Sequence, residues 1–309
     1  MQQRIGYLYG IGAYLAWGAF PLFFSLLAAV NPFEVVPWRV ITALGFCVIA
    51  TTAIGGWSRL TAVMRSPRLL GWFAISSVLL YANWQFFVVG IVTGHIIETA
   101  LGYFITPLVT ILIGVVVRKE RLRALQWVAV AVATLGVLVS AIAYGQFPTI
   151  ALGLALTFGL YGAVRKQASE DIDALSGLTI ETVFGSLLAV AQLIVLALLF
   201  GPLDAFGHGP AVTIPLLLSG VITAIPLMLF AAGNRRLKLS HMGFLQFITP
   251  IMNFITGYFL FHEPMSLVRW VGFLAVWVAV MLLVVDMLRA VRSEGRRTVA
   301  EELPAQPGP

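Results

Sequence analysis

Cysteine and charged residues are scarce in this chain. Its 309 residues include one cysteine, Cys47, and only 10% are Asp, Glu, Lys or Arg, whereas 60% are hydrophobic. A single cysteine excludes an intrachain disulfide. So few charges cannot cover the surface of a water-soluble globule, and we therefore expect lipid to be the main solvent of the protein.

Sequence motifs for catalysis and for cofactor binding are missing as well. There is no phosphate-binding loop, no His-Glu-x-x-His, no Gly-x-Ser-x-Gly and no pair of cysteines, and the four histidines are scattered over different segments. We therefore predict no enzyme activity, no metal and no cofactor. The basic residues, which give a net charge of +6, lie in short clusters between apolar segments, so we expect no nucleic-acid partner.

The chain has long apolar runs instead. Residues 125–144, 182–203 and 212–232 contain no Asp, Glu, Lys or Arg, and each run has about the 20 residues that an α-helix needs to cross a bilayer. The alternating pattern of a membrane β-barrel is absent. The sequence thus predicts an all-α integral membrane protein. We expect ten transmembrane helices, near 6–28, 33–55, 69–92, 97–117, 124–144, 147–165, 174–200, 211–233, 240–261 and 267–289.

The basic residues predict how these helices are oriented. If the ten spans are correct, every Lys and Arg except Arg39 and Arg269 falls near the membrane face on which the N-terminus lies. Lys and Arg accumulate on the cytoplasmic side of membrane proteins. We therefore expect both termini to be cytoplasmic, in a bacterial inner membrane, with residues 291–309 forming a disordered tail.

An internal repeat divides the chain into two halves. The tetrapeptide Phe-Ile-Thr-Pro at 104–107 recurs at 247–250, and the same shift of 143 relates Glu120 to Glu263. Because each half would hold an odd number of spans, the two copies would enter the membrane from opposite sides. We predict two inverted five-helix repeats, at 1–145 and 146–290. Such repeats are typical of secondary transporters, although duplication is also a simple way to build a helix bundle.

Four ionisable residues lie within or at the ends of the predicted spans: Arg39, Glu98, Glu181 and His241. Such groups are expensive to insert into a membrane and are therefore candidates for function. The repeat relates Arg39 to Glu181, and Glu98 to His241. One interpretation is a gating or coupling role, in which Arg39 with Glu98 closes the outer side and Glu181 with His241 the inner side. The alternative is that these side chains reach the lipid headgroups and fix helix depth.

Two prolines indicate where a solute would bind. Pro107 and Pro250 lack a backbone donor within their helices, so we expect kinks that expose carbonyl groups. Amides beside aromatic rings at that level suit an organic solute better than a bare ion, although the same side chains can simply pack helices together. The candidate substrate-binding residues are Trp17, Asn83, Trp84, Tyr103, Thr106, Gln246 and Thr249.

Several segments resemble the EamA-type permeases of the drug/metabolite transporter superfamily, and among them the RarD group. The resemblance spans residues 1–290. It implies a permease of the plasma membrane with two five-helix repeats that moves small organic metabolites or drugs, often outward, and it carries an association with chloramphenicol sensitivity. Thr106 stands where an asparagine is expected in close relatives. The segments that carry the resemblance are 16–18, 38–40, 83–84, 98–108, 161–166, 180–182 and 243–250.

The function predicted on these grounds is a secondary permease that works by alternating access. Its partners would be the lipid bilayer and a small organic solute, with amphenicol-like and amino-acid-like solutes as candidates for export. The surfaces of the fifth and tenth helices leave room for a homodimer. Two alternatives remain open, a membrane-embedded enzyme that acts on lipids and a receptor without transport.

Overall fold

The computed structural model describes residues 2–27, 29–92, 96–144, 149–168 and 172–260, with further single positions between 267 and 289. All regular structure in these residues is helical, which confirms the all-α prediction. The helices are α1 (Gln2–Gly18), α2 (Phe20–Phe24), α3 (Pro32–Ala53), α4 (Trp57–Met64), α5 (Pro67–Val92), α6 (Ile96–Val116), α7 (Ala124–Tyr144), α8 (Thr149–Ala168), α9 (Ala174–Phe200), α10 (Pro210–Arg236), α11 (Leu239–Leu245) and α12 (Ile248–Ile255).

Five helical segments among the described residues are long and apolar enough to cross a membrane. Shorter apolar helices cover 101–116 and 124–139. The chain is therefore a multi-pass membrane protein, while the total of ten spans stays a prediction. The five segments are Gln2–Phe24, Pro32–Ala53, Pro67–Gly90, Ala174–Phe200 and Pro210–Arg236.

The first predicted helix is interrupted. Helix α1 ends at Gly18, and the N–H of Ala19 donates to the carbonyl groups of both Leu15 and Ala16, at 3.2 Å each. Pro21, in the short helix α2, has no N–H with which to continue the helical hydrogen bonds. A 3₁₀ turn at Ser25–Leu27 follows. The apolar run at 6–28 therefore holds a bend that its hydropathy does not reveal.

The ninth predicted helix is also discontinuous. Helix α11 ends at Leu245, a turn covers Gln246 and Phe247, and α12 begins at Ile248. Because Pro250 has no N–H, the carbonyl of Gln246 accepts a hydrogen bond from Thr249 instead, at 3.2 Å. Helix α6, by contrast, runs without interruption through Pro107.

Helix α4 (Trp57–Met64) was not expected from hydropathy. Its buried residues Leu60 and Val63 pack with Phe73 of α5 and Ile180 of α9. Arg59 of this helix and Arg65 directly after it are exposed, as are Trp57 and Met64. The two buried residues therefore hold this short helix against α5 and α9.

Helices from the two parts of the chain interleave. Helix α3 packs against α9 and α10, α5 packs against α8 and α9, and α1 packs against α10. Helix α6 packs against α8 and α11. The largest core cluster accordingly includes Tyr14 of α1, Tyr161 of α8 and Phe230 of α10.

A glycine permits the closest of these approaches. A Cβ atom at Gly220 of α10 would clash with the backbone of Thr42 and Ala43 in α3. The two helices therefore touch backbone to backbone, as small residues allow in membrane proteins. The same contact brings Thr223 of α10 against Arg39 of α3.

We expect Gly220→Ala to lower the stability of the folded protein by about 2 kcal/mol or more, because the added methyl group forces α3 and α10 apart. Gly45→Ala in α3 is the matched control, since no atom lies within 4 Å of a Cβ at that position. It should be neutral or stabilising by up to about 1 kcal/mol. Thermal unfolding of the purified variants in detergent measures both effects, and equal melting temperatures would contradict this packing.

Candidate functional site

A small cavity lies between α3, α5, α9 and α10, so that both parts of the chain line it. Its volume is about 20 Å³, which is enough for about one water molecule. Aliphatic and aromatic side chains form most of the wall. The polar or aromatic lining residues are Ser77, Tyr81, Trp84, Glu181, Thr182 and Thr223.

Arg39 occupies an aromatic cage beside this cavity. Its guanidinium carbon lies 4.4 Å from the ring centre of Trp84, 4.9 Å from that of Phe24 and 5.3 Å from that of Phe20. Aromatic ring faces attract a cation, most strongly where water is excluded. The Nε atom also donates to the hydroxyl of Thr223 at 2.6 Å. Arg39 thus links α2, α3, α5 and α10.

Glu181 lies on another wall of the cavity and is only 2% exposed. Its carboxylate accepts hydrogen bonds from the hydroxyl of Ser76 in α5 and, at 3.4 Å, from that of Tyr161 in α8. The Nε atom of Arg165 lies 3.8 Å from its Oε2 atom. The Arg165 guanidinium in turn lies 4.9 Å from the ring centre of Phe73. A buried ion pair with added hydrogen bonds is the way a protein keeps such charges stable.

The contacts of Arg39 and Glu181 follow the internal repeat. A shift of 142 relates Arg39 to Glu181, and a shift of 141 relates Phe20 to Tyr161 and Phe24 to Arg165. Two residues that contact Arg39 therefore correspond to two that contact Glu181. Equivalent positions in the two halves therefore make equivalent contacts, although the side chains at these positions differ in charge and polarity.

The predicted pairing of Glu181 with His241 is wrong for this structure. His241 Nδ1 lies 2.9 Å from the Tyr7 hydroxyl, and its ring stacks on that of Tyr7. Glu181 has Arg165 as its cationic partner instead. Arg165 is 1% exposed, so its side chain points into the bundle, although its position in the sequence suggested a basic residue at the membrane surface. The side chain of Glu98 lies outside the described residues, so its predicted contact with Arg39 stays a prediction.

Among the predicted substrate-binding residues, Trp84 lines the cavity and contacts Arg39. The ring of Tyr103 lies 6.1 Å from that of Phe87 in α5, measured between ring centres. The Asn83 amide donates to the Leu154 carbonyl at 2.9 Å and the Thr157 hydroxyl at 3.0 Å, which joins α5 to α8.

The remaining four predicted substrate-binding residues make ring contacts or hydrogen bonds with other helices or within their own helix. The ring of Trp17 packs against Tyr14, Phe158 and Phe230. The Thr106 hydroxyl donates to the backbone carbonyl of Gly102 in its own helix. The side-chain carbonyl of Gln246 accepts a hydrogen bond from the Thr110 hydroxyl, and the Thr249 hydroxyl donates to the backbone carbonyl of Tyr14.

Residues that the sequence did not single out complete the site. Phe20, Phe24 and Thr223 surround Arg39, and Ser76 and Tyr161 contact Glu181. The internal repeat indicates three of them, Phe20, Phe24 and Tyr161. It relates Phe20 to Tyr161 and Phe24 to Arg165, so that the neighbours of Arg39 correspond to the neighbours of Glu181.

Hydrogen bonds also join helices at the end of the bundle at which α11 begins. The Glu120 carboxylate, in the segment between α6 and α7, accepts hydrogen bonds from the backbone N–H groups of Leu239 and Ser240, at 2.7 and 2.8 Å. The Ser240 hydroxyl adds a third at 2.6 Å. Glu120 therefore caps the N-terminus of α11, where the helix dipole favours a negative charge. Lys166 of α8 donates to the carbonyl groups of Asn234, at 2.8 Å, and Leu237.

The environment of Glu120 favours its ionised form. Partial burial raises the pKa of the carboxyl group. The hydrogen bonds from Ser240 and Leu239 and the charge of Lys166 outweigh burial, so the net shift of the pKa is downward.

Patterns typical of the EamA-like transporter family match residues 4–142 and again 148–285. The protein RarD of Streptomyces exfoliatus is 38% identical over 97% of this chain and 94% of its own length. The protein RarD of Escherichia coli (strain K12) is 36% identical over 93% of this chain and 96% of its own. One crystal structure superimposes with a TM-score of 0.70 at 18% identity and covers 91% of this chain and 98% of the other, which shows a shared fold.

The buried Arg165–Glu181 pair should behave as a coupled unit. Arg165→Met leaves a buried carboxylate without its cation, and we expect a loss of about 3–5 kcal/mol in stability. Adding Glu181→Gln to that variant should restore most of the loss, because no unmatched charge remains. A double-mutant cycle from thermal unfolding measures the coupling. Losses that simply add would show that the pair is not coupled.

Glu120 should stabilise the protein in a pH-dependent way. Because its pKa is lower in the folded protein than in the unfolded chain, the stabilisation is complete above the unfolded pKa, about 4.3, and disappears as the pH falls through the folded value. We expect Glu120→Gln to lose about 1–2 kcal/mol at pH 7, since the remaining hydrogen bonds are to a neutral group. The difference from wild type should shrink below about pH 4.

Melting temperatures measured across this pH range test the Glu120 prediction. Asp204→Asn is the control, because it removes a carboxylate whose side chain is 74% exposed. A difference between wild type and Glu120→Gln that does not change with pH would contradict the ionic cap.

Proposed function

Because the chain belongs to the EamA-like transporter family, in its RarD group, and is thus a membrane transporter, we propose that it is a secondary permease for a small organic solute. It would work by alternating access in the bacterial inner membrane. Ten spans in two inverted repeats would place both termini in the cytoplasm.

Helix packing supports the inverted-repeat arrangement. In the repeat, α1 corresponds to α8, α3 to α9, α5 to α10, and α6 to α11 with α12. Exchanging the two halves converts the contact of α3 with α10 into that of α9 with α5, both of which occur. The contacts of α1 with α10 and of α8 with α5 form a second such pair, and those of α6 with α8 and of α12 with α1 a third. This is the pattern that a two-fold axis between the halves produces, and in an inverted repeat that axis lies in the membrane plane.

The observation that carries the proposal is the position of the cavity. It lies where the two halves meet, between α3 and α5 of the first and α9 and α10 of the second, with Glu181 in its wall and Arg39 behind Trp84 and Thr223. A site on such a boundary opens to one side when the halves tilt one way and to the other when they tilt back. Its small volume leaves no room for an organic solute, so the halves would have to move apart before a solute could bind.

The contacts at the α11 end form the proposed inner gate. Glu120 joins the segment after α6 to α11, and Lys166 joins α8 to the C-terminus of α10. The ion pair of Glu181 with Arg165 lies between this end and the cavity and links α9 to α8. Opening toward the cytoplasm would break these contacts. On the outer side we retain Arg39 with Glu98 as the proposed gate.

The solute itself is proposed only as a class. Aromatic rings and hydroxyl groups around the cavity suit an organic molecule with an apolar body and a few polar groups. Amino-acid-like and amphenicol-like solutes have that chemistry. Export is the proposed direction.

Counterflow into proteoliposomes tests the permease. Vesicles loaded with an unlabelled solute should take up the same labelled solute above its external concentration, because a carrier exchanges one molecule for another. We expect this for at least one member of a panel of amino acids, aromatic metabolites and amphenicols. Empty vesicles and vesicles with the protein but no internal solute are the controls. Purified, folded protein that exchanges no member of the panel would argue against the proposal, and uptake without counterflow would indicate a pore.

A further inference from the structure

Arg39 has hydrogen-bond donors without acceptors. Its side chain is 7% exposed, and its Nε donates to the Thr223 hydroxyl. The four N–H groups on its two terminal nitrogens have no acceptor in the part of the chain that the structure describes. Three aromatic rings offset its positive charge, but they do not accept hydrogen bonds as oxygen lone pairs do. The terminal nitrogens are not among the fully buried polar atoms, so they keep some accessible surface at which an oxygen-bearing group from outside the described chain can meet them.

Two nearby cations, the buried Arg165 and the half-buried Lys166, have partners within the described protein. Arg165 has the carboxylate of Glu181, and Lys166 has two backbone carbonyl groups. Among the described residues, Glu181 is matched by Arg165, whereas Arg39 has no carboxylate beside it. In the proposed outer gate, Glu98 would take that place only while the outer side is closed. An unmatched charge within a membrane protein commonly marks a substrate or ion pathway.

We propose that the terminal nitrogens of Arg39 bind a carboxylate group of the transported solute, so that the protein selects organic solutes that carry one. This inference rests on the proposed function, because it assumes that the cavity lies on the solute pathway. The guanidinium group presents a planar fork of N–H groups that matches the two oxygens of a carboxylate. A neutral amide of the same shape lacks the charge and offers only one oxygen.

The cage positions Arg39 for this role. Trp84 and Thr223 contact Arg39 on one side and line the cavity on the other. The guanidinium therefore lies directly behind the cavity wall that Trp84 and Thr223 form. Phe20 and Phe24 cover the group from α2, the short helix after the break in the first span. The aromatic surface would contact the apolar body of a solute whose carboxylate meets the nitrogens.

Binding to the purified full-length protein tests the inference without measuring transport. The probes are two acid–amide pairs of nearly equal shape, phenylacetate with phenylacetamide and N-acetyl-L-phenylalanine with its amide. Dissociation constants come from the dependence of the melting temperature on probe concentration. We expect wild type to bind each acid about tenfold or more tightly than its amide, the discrimination expected of a charge-assisted hydrogen bond.

Variants at Arg39 should abolish this discrimination. Arg39→Gln should weaken binding of the acids by about tenfold or more and leave the amides unchanged. Arg39→Lys should have an intermediate effect, because it retains the charge and loses the fork. Arg59→Gln is the matched control, since it removes the same charge from an exposed position on α4 and should leave both probes unaffected.

Three results would overturn the inference. They are equal binding of acid and amide to wild type, binding of neither, and an Arg39→Gln variant that weakens both equally, as a merely structural cage would. The wild-type comparison decides the question even if a variant fails to fold. Acid binding that depends on Arg39 in a protein without counterflow would count against the permease alone, and counterflow of amides in preference to acids would count against the carboxylate site alone.

Discussion

The structure depends on one constraint, the need to stabilise ionised side chains inside a bundle that faces lipid. Neither hydrocarbon nor a cavity that holds about one water can solvate Arg39 and Glu181, so the protein must supply their partners. Those partners come from other helices. Through its ring contacts Arg39 of α3 binds α2 and α5, and through its hydrogen bond it binds α10. The contacts of Glu181 place α5 and α8 beside α9.

Functional side chains occupy equivalent positions in the two halves but differ in charge. A guanidinium at residue 39 corresponds to a carboxylate at 181, and the ring at 24 corresponds to the guanidinium at 165. An identical duplicate would have placed two like charges near one axis, where they repel each other in a medium of low dielectric constant. The opposite charges at residues 39 and 181 avoid that repulsion. The backbone repeat therefore survives together with a site that is chemically asymmetric.

Much of the fold follows from the sequence because bilayer thickness sets the length of an apolar helix. The limits 174–200 were predicted for a helix that runs over Ala174–Phe200, and α7 also has its predicted bounds. Helix α4 was missed because eight residues with exposed arginines resemble a loop in hydropathy. The break at Ala19 does not follow from hydropathy, because one proline, Pro21, leaves the long apolar run apolar while it removes a backbone donor.

The site was harder to predict than the fold, because the partner of a side chain depends on tertiary packing. The sequence singled out Arg39, Trp84 and Glu181, which the structure places around one cavity. The sequence did not show that the Arg165 side chain points into the bundle, because Arg165 lies in one basic cluster with Lys166. The repeat related His241 to Glu98 and so suggested Glu181 as its partner. Packing of α1 against α11 gives His241 a tyrosine instead.

The cap on α11 has a consequence for biosynthesis. Glu120 and Ser240 lie 120 residues apart, so the ribosome completes α6 and Glu120 long before α11 exists. The backbone N–H groups that begin α11 can reach their carboxylate only after the later helices have entered the membrane and docked. A chain truncated after its first half would hold Glu120 with no helix to cap, and the second half expressed alone would hold a helix without its cap. The cap therefore forms only when the two halves assemble, and it links their folding to each other.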